Sequence, residues 1–110
     1  MQYALLAFGS QRSDDGPIDD AIAQVLAKPS VTGWIRLYGD GSATTVRTDA
    51  KRLLMTDGPF VESKEHLAGL ILVEADDLDG ALAVAQELQE PRPIGGVEVR
   101  PILEARFRGA

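Results

Sequence analysis

Ten consecutive residues, Asp57-Gly58-Pro59-Phe60-Val61-Glu62-Ser63-Lys64-Glu65-His66, hold three carboxylates, one ammonium and the single imidazole of the chain. Acid–base chemistry is concentrated there. Asp57 is the candidate base, and Glu62 would stand beside it as a second carboxylate. Two buried carboxylates push one pKa up and create a general acid near neutral pH. Lys64 is the candidate contact for an anion, and Phe60 a hydrophobic wall. His66 could act as a base oriented by Asp57 or Glu62. The expected catalytic residues are thus Asp57 and His66, and the expected ligand-binding residues Gly58, Pro59, Phe60, Glu62 and Lys64.

Each residue also has a structural explanation. Asp bonds nearby amides, Gly adopts conformations closed to other residues, and Pro fixes φ, so the corner could be a turn that Phe60 anchors in the core or at a subunit contact. Charged loops are commonly only solvated, and a lone His is more often structural than catalytic. The spacing Glu62-x-x-Glu65-His66 matches no familiar zinc helix, which needs at least two His. With zero Cys as well, no metal and no cofactor are expected.

The formal net charge is -6, from 11 Lys+Arg against 17 Asp+Glu. All of it lies beyond residue 55, and residues 57–79 carry seven acids and only Lys64. Without a basic stripe, neither nucleic acid nor an anionic membrane surface is an expected partner. The apolar run Leu67–Val73 is far shorter than the roughly 20 residues of a membrane span, and the N-terminal stretch lacks a basic n-region. A cytoplasmic location is expected.

The elements that must position these residues follow from periodicity. At 11.8 kDa a folded chain should expose roughly 6,000 Å² and support one core, so residues 1–110 are expected to form a single domain. Tyr3–Phe8 is a buried strand. Pro17 opens a helix at its first position, with Ile18, Ala21, Ile22, Val25 and Leu26 on one face, Lys28 in its last turn and Pro29 as its stop. Trp34–Tyr38 is β-prone. Residues 43–48 and 51–56 flank Asp49-Ala50 as a hairpin. Gly69–Ala75 is apolar at consecutive positions, so both of its faces should be buried. Asp76 or Asp77 caps a helix from Leu78 to about Gln89, with Leu78, Leu82, Ala85 and Leu88 buried, and Asp79 adds to its first turn. Val97 and Val99 alternate with Glu98 and Arg100 in a last strand. Arg36, Arg47 and Arg100 lie on strands, where internal ion pairing is expected, and Trp34 and Tyr38 are expected in the core or an interface.

This order predicts a ferredoxin-like α+β sandwich with both helices on one sheet face. The other face would be an apolar patch larger than soluble monomers carry. A second copy packed face to face is expected to cover it, making a homodimer with a barrel-like space between the sheets.

Residues 56–65, Thr-Asp-Gly-Pro-Phe-Val-Glu-Ser-Lys-Glu, resemble the DGPF-motif branch of the YCII-related proteins. Residues 43–47 precede the motif, Gly69 and Glu74-Ala75-Asp76-Asp77-Leu78-Asp79 follow it, and Val97–Ile102 closes the domain, in the family's order. The match runs from about Tyr38 to Leu103, and Tyr3–Gly9 resembles the family's first strand. The resemblance implies a dimeric α+β barrel. It implies no settled activity, although members of the family have been proposed as small enzymes because some carry a His/Asp pair in a cleft. Residues 16–33 are shorter than the usual first-helix region and hold no His, while His66 stands where relatives usually carry Gln. The expected function is binding of a small anionic or polar molecule beside the Asp57–Lys64 loop. The alternative is a non-catalytic regulatory or interaction module, linked through the resemblance to an extracytoplasmic-function sigma factor.

Overall fold

The computed structural model describes residues 1–10, 16–61 and 63–108. Its elements run β1 (Gln2–Ser10), α1 (Asp20–Leu26), β2 (Val31–Arg36), a 3-10 turn (Asp40–Ser42), β3 (Thr44–Asp49), β4 (Arg52–Asp57), β5 (Glu65–Glu74), α2 (Leu78–Gln89) and β6 (Gly96–Pro101). Four strands form an antiparallel sheet in the order β2-β5-β1-β6, and β3 and β4 form a separate hairpin. This is the ferredoxin-like α+β arrangement with a hairpin inserted before the third strand of the sheet.

Strand parity divides the sheet. Tyr3 and Leu5 pair with Val73 and Ile71, and these four join Val25 of α1 and Ala81, Val84, Ala85 and Leu88 of α2 in one core. Both helices therefore cover the same face. On the opposite face Leu6 stands level with Leu70, and Ala4 with Leu72. Ile35 flanks Leu70 from β2, and no element covers this apolar row among the described residues. The protein exposes 8185 Å², about 2,000 Å² more than a compact chain of its mass.

Four expectations are corrected by the structure. The first helix does not start at Pro17: Asp19 caps it by accepting a 2.8 Å hydrogen bond from the Ala21 amide, so α1 begins at Asp20. Lys28 falls beyond its end and forms an ion pair with Glu87 of α2. On α2, Asp77 caps as expected, accepting from the Gly80 amide at 2.9 Å, but the buried stripe is Ala81, Val84, Ala85 and Leu88, while Leu78 and Leu82 are exposed. Ala81 is fully buried because its small side chain lets the helix lie close to the sheet. The second strand starts at Val31 rather than Trp34; Trp34 and Tyr38 stand outside the core of the single chain, which leaves an interface as the remaining half of that expectation.

The hairpin turn is the fourth. Asp49 pairs with Arg52, so its two central residues are Ala50 and Lys51, with φ of 49° and 66°. Two positive φ angles define a type I′ turn, which favours Asn-Gly. Each side chain here costs about 1 kcal/mol in this region. The double substitution Ala50→Asn, Lys51→Gly is expected to raise stability by about 1 kcal/mol, measurable as a higher urea midpoint at unchanged slope.

Candidate functional site

The corner after β4 is built by the hairpin. Asp57 ends β4 opposite Thr44. The Gly58 amide donates to the Ala43 carbonyl at 2.8 Å, and the Thr45 hydroxyl donates to the Gly58 carbonyl at 2.7 Å. Gly58 sits at φ 98°, where a side chain would be strained. These bonds turn the chain so that Pro59 and Phe60 project beside the sheet. The Arg47 guanidinium lies 5.6 Å from the centre of the Phe60 ring, a cation–π contact worth about 0.5–1 kcal/mol at an exposed site.

Beneath this corner lies an open cleft of about 950 Å³. Phe8 and Leu67 form its wall on the sheet side, Leu37 and Tyr38 enter from the segment after β2, and Pro59, Phe60 and Val61 close it from the motif loop. Glu65 and His66 bring polar atoms into this mainly apolar lining. His66 is buried, 8% exposed, and stands opposite Gly9 where β1 and β5 end together.

The expected site residues thus separate. Pro59, Phe60 and His66 meet at the cleft. Asp57, Gly58 and Lys64 do not line it, and Asp57 and Lys64 are exposed to solvent. Glu62 lies outside the described residues. Phe60 is 68% exposed and anchors nothing in the core of the single chain. No Lys or Arg lines the cleft among the described residues. Among the strand arginines, Arg100 approaches Glu98 at 3.9 Å, Arg36 donates to the Gly16 carbonyl at 2.7 Å, and Arg47 stacks over Phe60. The cleft walls Phe8, Leu37 and Leu67 carry no sequence signal, since each resembles an ordinary core residue.

Among the described residues no three His, Asp or Glu stand close enough to hold a metal ion, and no helix is long and apolar enough to cross a membrane.

An antiparallel α+β sheet with both helices on one side and a cleft at the end of its central strands defines a ferredoxin-like protein with a candidate ligand site. The YCII-related domain matches residues 1–106, and the chain belongs to that family. It is also similar to an uncharacterised protein of Rhizobium meliloti (strain 1021), 41% identical over 114 residues that cover 93% of this chain and 92% of the relative.

Proposed function

We propose that the protein is a cytoplasmic homodimer of the DGPF branch of its family and binds a small molecule, apolar in body and polar at one end, beneath Pro59 and Phe60. The carrying observation is the 950 Å³ cleft, whose apolar walls converge on the buried His66. A concave apolar site with few polar groups is the usual form of a small-molecule site. Acid–base chemistry there falls to His66 and Glu65 rather than to Asp57, whose carboxylate is in water. Asp57 and Gly58 hold the corner, and Lys64 supplies positive charge on the loop outside the lining.

The homodimer is supported by the bare sheet face. An ordinary interface takes about 800 Å² from each partner, well within the surplus surface of this chain. Two sheets packed through Leu6, Ile35, Leu70 and Leu72 would enclose a barrel-like space.

One observation favours the second reading, a regulatory module that binds a partner protein such as an extracytoplasmic-function sigma factor. Phe60 and Val61 are exposed, as are Val46, Leu53 and Met55, which share one face of the β3–β4 hairpin. A thermal-shift screen of carboxylates, lactones and phosphates separates the two. At least one compound should raise Tm by mass action, and the gain should shrink in Phe60→Ala. A screen without a hit would favour the interaction module instead.

A further inference from the structure

A second cavity, of about 420 Å³, lies between the helices and the sheet and, among the described residues, shares none with the cleft beneath Phe60. Its body is apolar: Ile22 and Leu26 of α1, Leu88 of α2 and Ile71 of β5, with Trp34 of β2. Two guanidinium groups, Arg36 and Arg92, also reach its lining, and among the described residues Asp19 is the one acid there. The Asp19 carboxylate is occupied in capping α1.

Arg92 has an unusual set of contacts. It follows α2 between Pro91 and Pro93 and is half-buried. Its Nη2 donates to the Phe8 carbonyl, and its Nη1 donates to Gln89 Oε1 at 2.9 Å and to the Gly96 carbonyl at 3.4 Å. All three acceptors are neutral, and Arg92 makes no ion pair among the described residues. Burial lowers its pKa from the ordinary value, although arginine keeps its proton at neutral pH. These neutral acceptors occupy three hydrogen bonds of a group with five N–H donors and do not cancel its charge. A partly buried cation of this kind is stabilised by an anion.

We propose that this cavity binds an amphipathic carboxylate, with the aliphatic or aryl body between α1 and the sheet and the carboxylate against the Arg92 guanidinium. The volume is in the range of small-ligand sites. The apolar walls select the body, and the uncancelled charge selects an anion over a neutral analogue.

Trp34 is the only tryptophan of the chain, so its fluorescence reports on this cavity and not on the Phe60 cleft. Octanoate and octanol, titrated separately into the full chain, are the probes. Octanoate should change the Trp34 emission and raise Tm, with octanol at least about tenfold weaker. Arg92→Gln should remove the preference for octanoate. Because Arg92 also braces the fold, Ala68→Phe serves as the second variant: it fills the cavity from an exposed lining position and leaves Arg92 in place. It should abolish the octanoate response. Equal binding of the two probes, an unchanged Trp34 signal, or a response retained in Ala68→Phe would overturn the proposal.

Discussion

Leu70→Glu is expected to scatter light as a monomer of 11.8 kDa, where the unsubstituted chain, as the proposed homodimer, should scatter at twice that mass. Leu70 stands in the middle of the bare sheet face, between Leu6 of β1 and Ile35 of β2. In a face-to-face pair related by two-fold symmetry, each substituted copy would bring a carboxylate into the apolar contact and toward its counterpart. Like charges held in such a contact cost several kcal/mol, and roughly 4 kcal/mol weakens Kd a thousandfold. Leu70 is only half-buried in the single chain, so the monomer should still fold and keep its circular dichroism. A dimer that survives Leu70→Glu would show that the sheet face is not the contact.

Gly95→Ala should cost the chain a large share of its stability. Gly95 has φ 86°, and an added Cβ would clash with the Phe8 carbonyl and press on the Arg92 guanidinium. Neither can retreat easily. The Phe8 carbonyl already accepts from Arg92, and Gln89 Nε2 donates to the carbonyls of Ile94 and Gly95 at 3.2 and 3.3 Å. The left-handed backbone costs about 1–2 kcal/mol and the overpacking about 1–3 more. A total near 3 kcal/mol corresponds to a fall in Tm of about 15 °C. Gly96→Ala is the control, because a Cβ there meets nothing within 4 Å, and it should melt nearly where the parent does.

Much of the fold is legible in the sequence because several local signals agree. The second helix is bounded by Asp77 and Pro91, and its observed ends, Leu78 and Gln89, are those expected. The apolar run of β5 announced a strand buried on both faces; in the single chain Ile71 and Val73 are buried, while Leu70 and Leu72 on the other face are only half-buried. Where signals compete, the reading slips. Pro17 and Asp19 both favour a helix start, and the hydrogen bond from the Ala21 amide to Asp19 decides between them. On α2, hydrophobicity favours Leu78 and Leu82 over Ala81, yet close approach to the sheet needs the smaller side chain. The hairpin turn lies one residue beyond the expected dipeptide, since register is set along the whole ladder and neither Ala50 nor Lys51 marks positive φ.

The candidate site was legible in part for a similar reason. The Asp57–Phe60 corner is a local turn and shows in its residue types. Whether Asp57 points into the cleft depends on strand parity at the end of a hairpin, and that end leaves it in water. Arg92 had a signal, a lone base between two prolines, but in sequence those prolines mark only the end of a helix. Its carbonyl partners come from β1 and β6, more than 80 residues away in one case.

His66 is the only histidine and its ring lies on the wall of the cleft beneath Phe60, so its imidazole proton resonances report occupancy of that site directly. The decisive measurement is a nuclear magnetic resonance titration of the full chain with the compound giving the largest thermal shift among carboxylates, lactones and phosphates. Saturable movement of the His66 resonances, weakened in Phe60→Ala, is the expected result. Saturable binding that leaves His66 unmoved would contradict a ligand site beneath Pro59 and Phe60.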